Sequence, residues 1–275
     1  MKKEWVAVTT ASDDRISQKT VSQEPSKDGG NTGCIRVRYE LKGLWKSKIE
    51  YGEQEYMSLG SNETGNTQEV GAPSLPQEGL LVALPSNARF KELKVIDFRQ
   101  KEISLERTII PTPQSVREGK EVKYIPDPRY YQSDKEFPGK SIEYVSTSEI
   151  AGMKAVHIML YLAQYAPLFN KLSWLEYIDF EVVYEIGGVD TAIAPFARRV
   201  NKSLASVLLL GYGEQIGSYE KEIDNIDSPV LDSSLKSPSN KGDFLIVTTL
   251  PFKKTFEEFS SAREKKFQVK IVTKD

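Results

Sequence analysis

Residues 35–41 read IRVRYEL, a stretch that alternates strictly between apolar and polar side chains. Apolar residues occupy every second position from Ile35 to Leu41, while two arginines and Glu40 occupy the positions between them. Because successive side chains of a strand point to opposite faces, this alternation is typical of a strand with one buried face. The stretch therefore predicts a sheet that covers a core.

Similar short strands recur along the chain, separated by clusters of Gly, Pro, Asn and Asp, and no helical period interrupts them before Ile186. Many short strands with turn signals between them predict an antiparallel β-sandwich. The stretch QYAPLFNKL, which contains Pro167 and Asn170, predicts the loop of a hairpin over residues 155–186. The predicted strands after the first are residues 80–85, 90–98, 102–110, 155–162 and 177–186.

The remaining stretches complete a predicted organisation in four parts. Residues 1–34 are polar and without periodicity, which predicts a flexible leader before a sandwich over residues 35–188. Residues 189–241 predict a connector with one short helix. Residues 242–275 predict an apolar strand, a helix and a second strand, which is the beginning of an α/β domain cut off before it has a core of its own.

The overall composition excludes several classes of function. The 37 basic and 39 acidic residues give a net charge of -2, and no basic face is interleaved with aromatic residues, so we expect no nucleic-acid partner. The longest apolar run, near Val156 to Leu162, has the length of a strand, so no membrane span is predicted. Met1 and two lysines precede no apolar stretch, and an export signal is therefore not visible.

The sequence offers no catalytic or metal site. Cys34 is the only cysteine and His157 the only histidine, which excludes an intrachain disulfide and the usual zinc clusters. Cys34 follows a polar, Gly-rich stretch and His157 lies within an apolar strand, so we interpret them as a linker thiol and a structural histidine. Gly211 and Gly213 lack the following Gly-Lys-Ser/Thr of a phosphate loop, so no cofactor is expected.

Four stretches in order resemble the pro-domains of the gingipain family of secreted cysteine peptidases. In the last stretch, the family's arginine before Gly152 is replaced by Ala151, and LAQYAP stands where the family has P-x-Q-Y-N-P. Residues 242–275 resemble the first strand, helix and second strand of the peptidase domain. The four stretches are GAPSLPQEGLLVALPSNARF (71–90), IIPTPQSVRE (109–118), YYQSDKEFPGK (130–140) and GMKAVHIMLYLAQYAPLFNKLSWLEYIDFEVVYE (152–185).

This resemblance implies a function without catalysis in the chain itself. The family's catalytic histidine and cysteine lie downstream of these elements, so no catalytic residue is carried over. The resemblance implies a secreted or cell-surface pro-region that keeps its own peptidase domain latent, assists its folding, and presents a basic side chain to the active site. A guanidinium paired with a pocket carboxylate would supply charge-assisted hydrogen bonds.

The resemblance also points to individual residues. Arg117 stands where the family has its inhibitory basic residue, and Lys120 or Lys123 would serve a peptidase with a different preference. The alternative interpretation, which the residues by themselves favour, is a solvated loop residue. The resemblance implies processing between pro-domain and enzyme, and exposed polar linkers are where proteases cut. The stretch from Lys236 to Lys241 is favoured over the pair Arg198 and Arg199, because it directly precedes the predicted strand-helix-strand unit. The alternative function is a stand-alone β-sandwich adhesion or carbohydrate-binding module, since a sandwich does not by itself fix a function.

Overall fold

The computed structural model describes residues 3–8, 17–24, 31–61, 64–114, 122–187, 200–225, 244–248, 252–254, 256–257 and 269–273. The chain divides into two compact units, residues 1–222 and residues 223–275.

The first unit is built around a five-stranded antiparallel sheet. Its long central strand β12 pairs with β8 along one side and with β3 and β11 along the other, and β2 pairs with the far side of β3. The strands are β2 (Gln18–Glu24), β3 (Thr32–Glu40), β8 (Ala88–Ser104), β11 (Ala163–Ala166) and β12 (Lys171–Ile186).

A second antiparallel sheet has the order β6 (Gly65–Asn66), β7 (Pro76–Ala83), β10 (Met153–Tyr161) and β9 (Ile142–Ile150). A smaller antiparallel sheet contains β1 (Lys3–Ala7), β4 (Gly43–Tyr51) and β5 (Gln54–Gly60), with β4 in the middle.

The inner faces of the two larger sheets form one apolar core. The alternation predicted for the first strand is confirmed, because the apolar residues from Ile35 to Leu41 are fully buried while their neighbours are half-buried. They pack in a cluster that includes Val156 and Ile158 from β10 and Phe180 from β12. The chain is therefore mainly β, and the predicted antiparallel β-sandwich is confirmed.

The hairpin predicted over residues 155–186 is wrong, because β10 and β12 belong to different sheets. The hairpin actually joins β11 to β12 through a short 3-10 turn, Pro167–Phe169, with Asn170 in the left-handed region at φ 50°. The strands predicted at 90–98 and 102–110 are also corrected, since one 17-residue strand, β8, covers residues 88–104. Its register against β12 shifts at irregularities and does not break.

The predicted flexible leader, residues 1–34, is wrong for its described parts, which form β1, β2 and the first residues of β3. Although β2 is polar, it completes the edge of β3 along seven residues. It is also tied across the sandwich, because Lys19 Nζ lies 2.5 Å from Oε1 of the buried Glu78, whose Oε2 accepts a 2.6 Å hydrogen bond from the hydroxyl of Tyr39. A buried carboxylate needs such partners, and this pairing fixes a strand that hydrophobic periodicity does not reveal.

Among the residues that the structure describes up to Asn225, the α-helices are α1 (Pro128–Tyr131), α2 (Lys202–Leu208) and α3 (Tyr212–Asn225). The Asn201 side chain caps α2 by accepting a hydrogen bond from the amide of Leu204. A second apolar cluster forms where α2 and α3 meet β7 and β10. The connector predicted with one short helix thus has two helices in its described part, and the first unit extends to residue 222.

In the second unit, β13 (Phe244–Thr248) and β14 (Val269–Thr273) pair in parallel. Residues 253, 254, 256 and 257 between them are helical. The parallel pairing expected of a strand-helix-strand unit is confirmed, while its identity as the start of a peptidase domain stays a prediction. None of the helices among the described residues is long and apolar enough to cross a bilayer.

Candidate functional site

The chain leaves the sandwich toward residues 115–121 along a stem, residues 109–114, that is fixed on two sides. On one side, Met57 of β5 donates to the carbonyl of Thr108 at 2.8 Å and accepts from the amide of Ile110 at 2.9 Å. On the other side, the amide of Thr112 donates to the carbonyl of Ala72 at 2.7 Å, and Gly71 donates back to Thr112 at 2.9 Å. The outgoing stem is thus held by backbone hydrogen bonds before the loop begins.

Two buried threonines connect the stem to the segment GAPSLP. The hydroxyl of Thr67 donates to the carbonyl of Pro73 at 2.9 Å and accepts from the amide of Leu75 at 3.1 Å. The hydroxyl of Thr112 donates to the carbonyl of Thr67 at 3.0 Å. Proline has no amide proton, so these side chains supply hydrogen bonds that a regular strand pair would otherwise make.

The return stem, residues 122–127, rejoins the same segment. Asp127 donates its amide to the carbonyl of Gly71 at 3.0 Å, and the amide of Gln114 donates to the carbonyl of Lys123 at 3.0 Å. The second bond joins the outgoing stem directly to the return stem. We call residues 67–75, 109–114 and 122–127 together the loop base.

Gly71 is the tightest point of the loop base. Its φ is +78°, and a Cβ atom there would lie 2.9 Å from Cβ of Asp127 and 3.2 Å from the carbonyl oxygen of Ile125. Such an approach is available only to glycine, because any other side chain would be both strained and in steric conflict. Gly71 lies in a turn, and this turn packs against the return stem.

Helix α1 fixes the end of the return stem. The Asp127 carboxylate accepts from the amide of Arg129 at 2.9 Å and from its guanidinium at 2.7 Å, and these hydrogen bonds hold the pKa of Asp127 below its usual value. The hydroxyl of Tyr131 donates to the carbonyl of Ile109 at 2.8 Å, and burial raises the pKa of this tyrosine. The helix therefore joins the return stem to the outgoing one.

Of the basic residues predicted for inhibition or processing, only Lys123 lies within the described part of the loop base. Lys123 lies on the return stem with an exposed side chain, and its carbonyl makes the bond that closes the loop base. Arg117 and Lys120, as well as Lys236, Lys241 and the pair at 198 and 199, lie outside the described residues. Sequence reasoning missed Thr67 and Thr112, whose role depends on partners that neither strand periodicity nor a local turn signal reveals.

The two residues considered for nucleophilic chemistry lie on different sheets. Cys34 belongs to β3, opposite Val183 of β12, whereas His157 belongs to β10, opposite Leu81 of β7. Over the described ranges of the chain, no three His, Cys, Asp or Glu side chains are grouped so as to hold a metal ion.

Comparison with known proteins gives one family match and a set of structural neighbours. The profile of the family Propeptide_C25 matches residues 18–193. None of the curated proteins compared with the chain matches it. The fold is similar to that in the complex of Porphyromonas gingivalis RgpB pro- and mature domains, with 18% identity, a TM-score of 0.56, and coverage of 70% of this chain and 97% of that one.

A second solved structure, which concerns the zymogenic latency of gingipain K from Porphyromonas gingivalis, has 17% identity and a TM-score of 0.52. The match with this structure covers 68% of the present chain and 100% of the gingipain K chain. At these identities, both likenesses concern the fold alone.

Proposed function

The chain belongs to the Propeptide_C25 family and contains the pro-domain of a gingipain-type precursor, and from this premise we propose that it inhibits its own peptidase domain by presenting a basic loop to the active site. The observation that carries the proposal is the closed loop base. Its two stems are joined by the Gln114 to Lys123 hydrogen bond, and the only residues between the described stems are 115–121.

A fixed base favours inhibition for an energetic reason. Ordering a flexible loop upon binding opposes association, and a loop whose ends are already fixed loses less conformational freedom. The solved complex of RgpB pro- and mature domains supports a peptidase domain as the partner, because it is a complex of that kind in a protein of similar fold.

Among the three basic candidates, Arg117 is the one we assign to the specificity pocket. It lies near the middle of residues 115–121, whereas Lys123 is part of the return stem, and its backbone is already committed to the loop base. A guanidinium also offers paired donors to a carboxylate, which an ammonium group does not. Lys120 is the second choice, and it would serve a peptidase whose pocket prefers lysine.

The test uses the 275-residue chain with the mature peptidase of the same precursor and follows hydrolysis of a small peptide substrate. We expect inhibition below micromolar concentration, weakened about 10- to 100-fold by Arg117→Ala, since a hydrogen-bonded charge contributes about 1.5–3 kcal/mol. Lys101→Ala is the matched control, because it removes an exposed basic side chain from β8. We expect it to leave inhibition unchanged.

Two results would contradict the proposal. The absence of inhibition at micromolar concentration would exclude the inhibitory role and would favour the adhesion or carbohydrate-binding alternative. Full inhibition by Arg117→Ala, Lys120→Ala and Lys123→Ala alike would exclude the basic loop as the inhibitory element, while leaving the inhibitory role of the domain intact.

Three further features belong to the same proposal. We propose that the precursor is secreted or exposed at the cell surface, as gingipain precursors are. We propose that the pro-domain assists folding of the peptidase domain. Processing is assigned to the stretch from Lys236 to Lys241, because it directly precedes β13. Mass spectrometry of the processed chain identifies the cut, and a cut only at 198 and 199 would contradict this assignment.

A further inference from the structure

The helices α2 and α3 lie outside the family match, which ends at residue 193, yet they are bound to the sandwich by side chains that the sandwich buries. Ala205 of α2, Leu209 directly after α2, and Tyr219 of α3 are buried. They pack in one cluster with Met153 and Ala155 of β10. The end of β7 and the start of β10 thus form an apolar surface, and α2 and α3, which follow later in the sequence, cover it.

Polar contacts make this surface specific. The hydroxyl of Tyr219 donates to the carbonyl of Leu84 at 3.0 Å and accepts from the amide of Lys154 at 2.7 Å. Both partners are backbone groups just beyond β7 and at the start of β10. Next to it, Ser86 donates its amide to Oγ of Ser218 at 3.1 Å and its hydroxyl to the carbonyl of Ser218 at 3.2 Å. A buried tyrosine satisfied on both sides fixes one orientation of α3.

Backbone pairing adds a third kind of contact. The amide of Leu210, between the helices, donates to the carbonyl of Leu81 at 2.8 Å, and its carbonyl accepts from the amide of Ala83 at 2.9 Å. β6 pairs only with the first two residues of β7, so this bridge occupies a stretch of edge that β6 does not cover. The segment therefore extends the second sheet.

The same segment also contacts β2. Nε2 of Gln215 donates to Oε1 of Gln23 at 3.2 Å, and Gly211 lies close to the side chain of Val21. The carbonyl of Ala151, in the turn before β10, accepts from the amide of Asn201 at 2.9 Å. Residues 201–219 are therefore in contact with β2, β7, β10 and this turn. None of these contacts depends on the chain being continuous between residues 187 and 200.

We infer that the sandwich carries a specific binding site for residues 200–225, which stay bound after the chain is cut between residues 187 and 200. Given the proposed inhibitory function, such a cut does not release the peptidase, because everything downstream of α3 remains attached through the bound helices. A cut at the basic pair 198 and 199 therefore leaves the peptidase inhibited. Activation requires a cut on the C-terminal side of Asn225.

The experiment uses the full chain with a site-specific protease sequence, flanked by about ten Gly and Ser residues for access, inserted between residues 190 and 195. After complete cleavage, we expect both fragments to co-elute in size-exclusion chromatography at micromolar concentration and to separate only in denaturant. Tyr219→Ala removes a buried ring and two hydrogen bonds, and we expect it to raise the dissociation constant of the fragments at least about tenfold.

Val207→Ala is the matched control, because Val207 lies on α2 but is 80% exposed, and we expect it to leave the dissociation constant unchanged. Circular dichroism of each uncut variant checks that the sandwich is folded before cleavage. Separation of the parent fragments under native conditions would overturn the inference, and so would an equal effect of the two substitutions.

This result is independent of the inhibitory role. Fragment retention is measured without any peptidase, so its failure leaves inhibition by the uncut chain unaffected. Conversely, a chain whose fragments stay together after cleavage, but which does not inhibit the peptidase before cleavage, would overturn the proposed function alone.

Discussion

The sandwich interior and the loop base are stabilised in different ways. In the interior, continuous strand pairs carry a large apolar cluster, in which Phe180 and its neighbours are fully buried. In the loop base, irregular segments are joined by single backbone hydrogen bonds, by two threonine hydroxyls and by one close glycine contact. We therefore propose a division of roles, in which the interior determines whether the domain folds and the loop base positions residues 115–121.

The largest expected effect is in the interior. Phe180→Ala removes a fully buried ring and should lower the free energy of unfolding by about 3–5 kcal/mol, measured by urea denaturation. The matched control is Phe98→Ala on β8, where the ring is 50% exposed and the expected loss is at most about 1 kcal/mol. Equal losses of unfolding free energy at the two sites would show that the buried interior contributes no more to stability than an exposed position of β8.

The next effect is at the tightest point of the loop base. Gly71→Ala places a Cβ where φ is +78° and where Cβ of Asp127 lies 2.9 Å away. We expect a loss of at least about 1–2 kcal/mol in unfolding free energy and, because the return stem must shift, a weaker inhibition of the peptidase.

Gly217→Ala is the matched control for this substitution. Gly217 lies in α3 with open space around it, so we expect a gain of about 0.5–1 kcal/mol in the free energy of unfolding and unchanged inhibition. A Gly71→Ala chain with the inhibition constant of the parent would show that the loop base does not position the loop.

A smaller effect is expected for one threonine hydroxyl. Thr112→Val removes the bond to the carbonyl of Thr67 and should lower the free energy of unfolding by about 1 kcal/mol, measured by urea denaturation. Thr147→Val changes an exposed threonine on β9 and should alter it by at most about 0.5 kcal/mol. If inhibition is unaffected by Thr112→Val, the backbone bonds alone are sufficient to fix the outgoing stem.

The smallest effect concerns the cap of α1. Hydrogen bonds from Arg129 lower the pKa of Asp127 in the folded protein, so the ionised carboxylate favours the folded state. This contribution is fully present above the unfolded pKa of about 3.9 and is lost as the pH falls through the lower folded value. We expect the difference in melting temperature between the parent and Asp127→Asn to shrink on acidification, and a constant difference would contradict the cap.

Sequence reasoning predicted the sandwich because its decisive signal is local. The alternation from Ile35 to Leu41 records one buried face, and the structure confirms it residue by residue. β2 was missed for the opposite reason, since its place depends on the edge of β3 and on the distant Glu78. The hairpin over residues 155–186 was wrong because periodicity identifies strands but not the sheet that each one joins.

The loop base could be predicted only in part. Gly and Pro residues such as those of 71–76 are typical of a turn, but no local pattern shows that Thr67 and Thr112 meet across 45 positions of sequence. The choice among Arg117, Lys120 and Lys123 depends on the shape of the peptidase's pocket, and the sequence of residues 115–123 does not specify that shape. That choice therefore stays a prediction.

The bridge made by Leu210 has a practical consequence for producing this protein. Unpaired strand edges are templates for intermolecular pairing, and native proteins cover them to avoid aggregation. A polypeptide ended at residue 193, where the family match stops, would leave the amide of Ala83 and the carbonyl of Leu81 without this partner, beside a bared apolar patch. We expect such a short version to precipitate, and one ended after Asn225 to stay in solution.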